Sequence, residues 1–167
     1  MFSLTLTAEA QSLLEKIRAK GMAIVTAESC TGGLLSALLT EVPGSSDVFF
    51  HGWVTYANEA KEKLISVPGA LIAEKGAVSE EVARAMAEGA EKVASSLYPG
   101  KEIIAVSITG IAGPGGGSEE KPVGTVHLAV KAGSKIIHVK EWFRGDREKV
   151  RLQAVEKAVH LIRSAIA

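Results

Sequence analysis

The spacing of apolar residues along the chain predicts an alternation of helices and strands. Residues 10–17 carry apolar side chains at helical spacing, and Thr7 is the predicted N-cap of this first helix. Gly21 predicts the end of that helix. The apolar run over residues 22–27 then predicts a buried strand, and a helix over roughly residues 32–41 follows it.

The middle of the chain continues the alternation. Residues 48–56 are rich in aromatic and β-branched side chains, which favour a strand. Asn58 is the predicted cap of a short helix that ends at Pro68-Gly69, and Ser79 is the predicted cap of a long helix. The apolar stripe predicted for the long helix consists of Val82, Ala85, Met86, Gly89, Val93 and Leu97.

The last part of the chain predicts three strands and a helix. Residues 103–108 form a continuous apolar run, which is typical of a strand covered on both faces. Residues 123–130 and 135–143 predict two strands joined at Gly133-Ser134, and Asp146 predicts the cap of a terminal helix. The pattern therefore predicts a single α/β domain over residues 1–167, a three-layer α/β/α sandwich with a mixed central sheet of about five strands.

Composition narrows the possible classes of function. The 19 basic and 19 acidic residues balance, so the charge favours neither nucleic acid nor an anionic membrane as a partner. No apolar run approaches a membrane span and no secretory leader opens the chain, so we expect a cytoplasmic protein. The apolar character of the chain is compatible with a homo-oligomer.

Residues that commonly bind metals are few. The single cysteine, Cys30, excludes an intramolecular disulfide, and the four histidines form no HxH or HExxH cluster. We therefore expect neither a metal site nor a cofactor.

Candidate chemistry begins at the corner between the first predicted strand and the next helix, Glu28-Ser-Cys-Thr-Gly-Gly33. A serine at such a turn projects its hydroxyl beside unpaired backbone N–H groups, so Ser29 is a candidate nucleophile. Cys30 is the alternative nucleophile, although a lone cysteine is more often a core residue. Taken alone, such a segment is more often a helix cap with glycines that allow close packing.

A second polar group, Tyr56, Asn58 and Lys61, occurs where the next predicted strand passes into a helix. A serine nucleophile needs a base, and no histidine lies in the candidate segments. A lysine that burial keeps neutral can accept the serine proton, so Lys61 is the candidate base. Lys63 is a less favoured candidate, and an exposed lysine at either position would simply be solvated.

A glycine-rich loop follows the strand over residues 103–108. Its spacing matches neither the P-loop nor the dinucleotide-binding glycine motif, since a strand and not a helix comes next. Closely spaced glycines let backbone N–H groups approach a ligand, although a flexible surface loop is equally compatible with the composition. The glycines concerned are Gly110, Gly113, Gly115, Gly116 and Gly117.

Two arginines give a weaker signal. Arg144 and Arg147 lie beside the predicted start of the terminal helix, where either could clamp a phosphate. Arginines in such places more commonly form surface ion pairs.

Four motifs in this order resemble the CinA C-terminal domain family. They are Thr-Ala-Glu-Ser-Cys-Thr-Gly-Gly (26–33), Val-Thr-Tyr-Ala-Asn-Glu-Ala-Lys (54–61), Gly-Ala-Val-Ser (76–79) and the segment from Gly110 to Thr125. The resemblance covers nearly the whole chain. It implies the stand-alone form of the domain, without the larger N-terminal domain behind which the family also occurs.

The resemblance implies an amidohydrolase that converts nicotinamide mononucleotide, a small-molecule nucleotide, and water into nicotinate mononucleotide and ammonia. It implies that Ser29 is the nucleophile, that Lys61 is the lysine paired with it and that Tyr56 lies near the pair. It also implies that the loop from Thr109 to Gly117 lines the substrate pocket. Relatives frequently carry Asp at the position of Gly115, and we do not expect this difference to abolish activity.

Two points stay open at the level of sequence. The oxyanion donors are expected among the amides of Thr31, Gly32 and Gly33 or in the glycine-rich loop, with Asn58 as a further substrate contact. The alternative to catalysis is a non-catalytic nucleotide-binding or regulatory module that uses the same loop, and a purely structural interaction domain is a third hypothesis.

Overall fold

The computed structural model describes residues 2–167 of the chain. Its six α-helices and five strands follow one another in the order α1 (Leu4–Ala19), β1 (Ala23–Glu28), α2 (Leu34–Thr40), β2 (Phe49–Val54), α3 (Asn58–Ile65), α4 (Gly69–Lys75), α5 (Glu80–Leu97), β3 (Ile103–Gly110), β4 (Thr125–Ala132), β5 (Lys135–Trp142) and α6 (Arg147–Ala165). A short 3₁₀ turn, Ser45–Asp47, precedes β2.

The strands form one mixed sheet in the order β2-β1-β3-β4-β5. Strands β2, β1 and β3 are parallel, while β4 runs antiparallel to β3 and β5 antiparallel to β4. The predicted mixed five-stranded sheet and its terminal hairpin are therefore confirmed. Because β1, β2 and β3 are parallel, the segments that follow them start from the same edge of the sheet.

Two apolar layers cover the sheet, which confirms the three-layer α/β/α architecture. Helices α1, α2 and α6 pack on one face, where alternate β1 residues such as Ile24 contribute to the core. Helices α3, α4 and α5 pack on the other face, with Val25 of β1 in their core. Within residues 2–167, no helix combines the length and apolarity needed to cross a bilayer.

Three helix boundaries differ from the sequence predictions. Helix α1 begins earlier than predicted, because Ser3 and not Thr7 is its N-cap and the Ser3 hydroxyl accepts a hydrogen bond from Leu6 N at 3.2 Å. Helix α2 begins only at Leu34, after Gly33 in the left-handed region at φ 92°. Asn58 is the first residue of α3 and not its cap, and the cap residue Ala57 makes no side-chain hydrogen bond.

Two further predictions from the middle of the chain need correction. Helix α3 ends at Ile65, before Pro68-Gly69 as predicted, but Pro68 is also the N-cap of a further helix, α4, that the sequence did not predict. Helix α5 begins at the predicted cap Ser79, but Leu97 of the predicted stripe is 54% exposed. Small residues supply much of the buried face instead: Ala83 and Ala87 pack against Ala129 of β4.

Candidate active site

An open cleft of about 270 Å³ lies at the edge of the sheet where β1, β2 and β3 end. Each strand is followed by a segment that contributes to it: Ser29 after β1, Tyr56 to Lys61 after β2, and the glycine-rich loop after β3. Clefts at the carboxyl ends of parallel strands are the usual ligand sites of such sheets.

Most of the predicted site residues come together in this cleft. They are Ser29, Tyr56, Asn58, Lys61, Thr109, Gly110, Gly113, Gly115 and Gly116. Thr31, Gly32 and Gly33 do not line it. Thr31 is fully buried, and its hydroxyl has no hydrogen-bond partner within residues 2–167.

Ser29 and Lys61 form the polar centre of the cleft, with Lys61 Nζ 3.2 Å from Ser29 Oγ. The backbone holds Ser29 in place, since its N–H donates to Ile108 O of β3 at 2.9 Å and its carbonyl accepts from Gly32 N at 3.0 Å. Helix α3 presents Lys61 to this position, and only 1% of the lysine is exposed.

Burial lowers the pKa of Lys61 below its ordinary value of 10.5. The other acceptors around its nitrogen are uncharged: Thr55 O at 2.7 Å and Tyr56 O at 3.3 Å. Within residues 2–167, no carboxylate forms an ion pair with Lys61. The neutral form of the amine is therefore favoured here relative to a lysine on the surface.

Cys30 is less suited to act as the nucleophile. Its side chain is buried, and desolvation raises the pKa of the thiol to about 12. A thiol nucleophile attacks as the thiolate, which this environment disfavours at neutral pH. The Ser29 hydroxyl lies beside an amine that can accept its proton, so Ser29 is a better candidate nucleophile than Cys30.

The Tyr56 hydroxyl lies at the rim of the cleft and not at the Ser29–Lys61 pair. The side chain is 60% exposed, and its hydroxyl accepts a hydrogen bond from Arg147 Nη2 at 3.1 Å. Arg147, the first residue of α6, also donates through Nη1 to Gly113 O at 2.7 Å. Arg147 thus links the two sides of the cleft, while Arg144 stacks over Trp142, 5.1 Å from the ring centroid.

The glycine-rich loop supplies backbone donors to the opposite wall. Thr109 is buried and its hydroxyl donates to Ala77 O at 2.8 Å, which fixes the start of the loop. None of the amides of Ala112, Gly113, Gly115 and Gly116 donates a hydrogen bond within residues 2–167. These N–H groups remain available to a ligand.

The first turn of α2 is already occupied. The Glu28 carboxylate is fully buried and accepts hydrogen bonds from Leu35 N at 3.0 Å and from Ser36 N at 2.8 Å. The sequence predicted the strand–helix corner but not the role of Glu28. Its carboxylate occupies the backbone N–H groups of Leu35 and Ser36, which are therefore not available to a ligand.

The charge of the cleft is positive. Arg147 lines it, and no Asp or Glu is among its lining residues within the described part of the chain, while Lys61 adds a charge only when it is protonated. Across residues 2–167, no three His, Cys, Asp or Glu side chains come together as metal ligands. The cleft therefore favours an anionic ligand.

Among the lining residues, Ala77 and Val78 were not identified from the sequence, whereas Ile111 and Ala112 lie in the loop that the resemblance implied as pocket lining. All four are apolar, so they provide a surface for an uncharged part of the ligand. Ala77 and Val78 belong to the motif at 76–79, which was the one signal that could have indicated them.

Comparison with known proteins agrees with the motifs. The CinA C-terminal domain model matches residues 6–166. A CinA-like protein of Anaeromyxobacter dehalogenans (strain 2CP-C) is 50% identical over 154 residues, which are 92% of this chain and 36% of the relative. A CinA-like protein of Geobacter sulfurreducens is 52% identical over 148 residues, 87% of this chain and 34% of the relative. The chain thus spans about a third of the length of these relatives.

Solved structures share the whole fold. The competence/damage inducible protein CihA from Agrobacterium tumefaciens superposes with a TM-score of 0.91 at 39% identity, covering 100% of this chain and 99% of that one. A CinA superfamily protein from Klebsiella pneumoniae 700603 gives a TM-score of 0.88 at 33% identity over 96% and 97% of the two chains. On sequence and structure together, the chain is a member of the CinA C-terminal domain family.

Proposed function

We propose that the protein hydrolyses the carboxamide of nicotinamide mononucleotide to nicotinate mononucleotide and ammonia. The observation that carries this proposal is the contact of 3.2 Å between a buried lysine and the Ser29 hydroxyl in a positively charged cleft. The substrate itself is implied by the family resemblance. Its phosphate suits Arg147, and its planar pyridinium ring can pack against the apolar side chains that line the cleft.

Lys61 acts as the general base in this proposal. A neutral amine has two N–H groups, and the carbonyls of Thr55 and Tyr56 can accept both. The remaining lone pair is then available to the Ser29 hydroxyl. Lys61 takes the proton while Ser29 Oγ bonds to the carboxamide carbon, whose oxygen becomes an oxyanion.

Backbone amides stabilise the oxyanion. The Cys30 N–H follows the nucleophile directly and has no backbone acceptor within residues 2–167, and glycine-rich loop residues with unpaired amides line the same cleft. In other hydrolases such a donor is worth about 3 kcal/mol of transition-state stabilisation. We place the oxyanion here and not on the amides of Thr31 to Gly33.

The remaining steps return the enzyme to its starting state. As the carbon–nitrogen bond breaks, the proton on Lys61 passes to the departing amine and ammonia leaves. Tyr56 is the second candidate donor, although its hydroxyl lies at the rim beside Arg147. Lys61 then deprotonates a water that attacks the acyl-enzyme, which releases the carboxylate product and restores the Ser29 hydroxyl.

Arg147 and the loop amides hold the phosphate in this proposal. The guanidinium is bonded to a carbonyl and a phenol and to no carboxylate within the described residues, so its charge remains available to an anion. Arginine and backbone N–H groups are common phosphate ligands.

The test is ammonia release from nicotinamide mononucleotide by wild type, Ser29→Ala and Lys61→Met. We expect each substitution to lower kcat by about 10³-fold or more, because nucleophile and base act as a unit. Lys63→Met, an exposed lysine on the same helix, is the matched control and should retain activity. Near wild-type turnover by Ser29→Ala would show that the nucleophile is misassigned.

Calorimetry with the same nucleotide distinguishes catalysis from binding alone. Tight binding without ammonia release by the wild type would favour the non-catalytic nucleotide-binding module. Neither binding nor turnover would favour an interaction domain.

A further inference from the structure

We infer that Glu28 is a positioning residue for the nucleophile: its buried carboxylate fastens the residue before Ser29 to the first turn of α2. This inference rests on the proposed role of Ser29, and it concerns a side chain outside the cleft. The carboxylate accepts three hydrogen bonds, from Leu35 N at 3.0 Å, Ser36 N at 2.8 Å and Ser36 Oγ at 2.6 Å.

A fully buried carboxylate without a cationic partner is unusual. Within residues 2–167, Glu28 forms no ion pair, so its charge is stabilised by hydrogen-bond donors alone. A buried charge without a cation is costly unless its acceptors are satisfied. An apolar residue at the end of β1 would avoid that cost but would leave the Leu35 and Ser36 N–H groups without this acceptor, so the carboxylate fixes the end of β1 against α2.

The carboxylate closes the loop that carries the nucleophile. Residues 29–33 form a tight turn in which Gly32 and Gly33 have φ of 59° and 92°. Glu28 ties the base of this turn to α2, the Ser29 N–H ties it to β3, and Arg151 Nη2 ties Thr31 O to α6 at 2.8 Å. Ser29 therefore sits in a loop held at three points, and Glu28 provides the side-chain attachment adjacent to it in the sequence.

A second layer of residues holds the carboxylate itself. The Ser36 hydroxyl, which donates to Glu28, also contacts Thr26 Oγ1 at 2.7 Å. Gly52 of β2 leaves room for this pair, since a Cβ there would lie 2.7 Å from Ser36 Oγ and 2.8 Å from Thr26 Oγ1. Glu28, Ser36 and Thr26 therefore form a polar cluster behind the turn over residues 29–33, and Gly52 leaves room for it.

Glu28→Gln tests the inference with a nearly isosteric change. Both carboxylate oxygens face backbone N–H donors, so either orientation of the amide places its NH₂ group against one of them. We expect kcat to fall about 10- to 100-fold, as for small displacements of reacting groups, with KM changed less than about twofold. We expect little change in KM because the proposed phosphate contacts, Arg147 and the glycine-rich loop, belong to other elements.

A second readout does not depend on the substrate. A fluorophosphonate labels an activated serine, and intact-mass spectrometry gives the rate of labelling of Ser29. We expect Glu28→Gln to slow labelling by the same factor as kcat. Ser3→Ala, which removes the cap of α1 outside the cleft, is the control for a general loss of stability and should alter neither rate.

The outcomes are distinct. If Glu28→Gln keeps kcat and the labelling rate within about threefold of wild type, or raises only KM, the positioning role is wrong. If that variant does not fold, Ser36→Ala removes one of the three donors, and we expect a smaller decrease in both rates; unchanged rates would overturn the inference. A wild-type protein that is labelled at Ser29 but releases no ammonia would refute the proposed function, while the labelling comparison would still decide the role of Glu28. A wild-type protein that shows neither would overturn both.

Discussion

The environment of Lys61 should determine how kcat/KM depends on pH. Its side chain is buried against Ser29 and two carbonyl oxygens, and desolvation lowers its pKa. The amine must be neutral to accept the serine proton, so kcat/KM should rise with pH and reach a plateau once Lys61 is deprotonated. We expect the inflection to lie below the ordinary lysine value of 10.5.

A pH profile of ammonia release checks this expectation. Activity should decline as the pH falls through the lowered pKa, because the protonated amine cannot act as a base. An inflection at or above the ordinary value would contradict the role of Lys61. The Lys63→Met variant should reproduce the wild-type profile.

Two glycines of the loop should respond differently to substitution. A Cβ at Gly115 meets no atom within 4 Å, and its φ is not in the left-handed region. A Cβ at Gly110 would lie 2.7 Å from Val126 Cγ2 and 2.8 Å from Thr125 O. Gly115→Asp should therefore retain the fold, whereas Gly110→Ala should lower the free energy of unfolding by about 1–3 kcal/mol.

Urea unfolding of both variants and their ammonia release give the comparison. A loss of folding in Gly115→Asp would contradict the open space at that position. Stability of Gly110→Ala equal to wild type would show that β4 moves to accommodate the methyl group.

At the residue scale, the sequence predicted the cleft residues well where strand ends determine position. Ser29, Lys61 and the loop glycines follow three strands whose ends meet at one edge, and this is visible in the order of apolar runs. Thr31, Gly32 and Gly33 were misplaced for a physical reason. Helix α2 begins only at Leu34, after these three residues, and its first-turn amides at Leu35 and Ser36 donate to Glu28, a contact that no standard capping motif indicates.

At the scale of elements, a histidine pair connects β4 to β5. His127 Nδ1 and His138 Nε2 are 2.9 Å apart, and His138 Nδ1 is 3.5 Å from Glu80 of α5. Burial, and next the neighbouring His138, lower the pKa of His127 to about 4. The folded protein therefore binds this proton less readily than the unfolded chain does.

The lowered pKa of His127 should make the folded protein less stable in acid. The stabilising contribution of His127 is complete above the unfolded pKa of 6.5 and is lost as the pH falls towards 4. Urea unfolding at pH 7 and pH 4.5 should show that acidification costs wild type about 2 kcal/mol more than it costs His127→Gln. Equal losses in the two proteins would indicate that other groups control the acid sensitivity.

The elements also show where periodicity is insufficient. The five strands and their succession along the chain were predicted from the apolar and β-branched runs between turn residues, whereas their order within the sheet was not. Helix α4 was not predicted either, since Pro68-Gly69 serves as a start when the following residues can pack against α5. The buried face of α5 was assigned to large side chains, but alanine lets a helix approach a sheet, so Ala83 and Ala87 face β4.

At the scale of the whole molecule, the proposed chemistry needs only groups of this chain. Ser29 supplies the nucleophile, Lys61 the base and backbone amides the oxyanion donors. We therefore expect EDTA to leave ammonia release unchanged, with zinc-supplemented enzyme as the parallel sample. Activity that disappears with EDTA and returns with zinc would contradict the Ser29–Lys61 mechanism.

The glycine-rich loop between β3 and β4 is closed at its base by backbone hydrogen bonds. Ile111 N donates to Thr125 O at 2.9 Å and Gly124 N donates to Ile111 O at 2.7 Å, so the two ends of the loop are tied to each other. Residues 112–123 lie between these ties and outside the β3–β4 register, so we expect changes in this segment to leave the pairing of the two strands intact. Ser29 and Lys61 come from other segments and would keep their places. We therefore expect ligand preference to vary with this loop while the proposed reacting pair keeps its geometry.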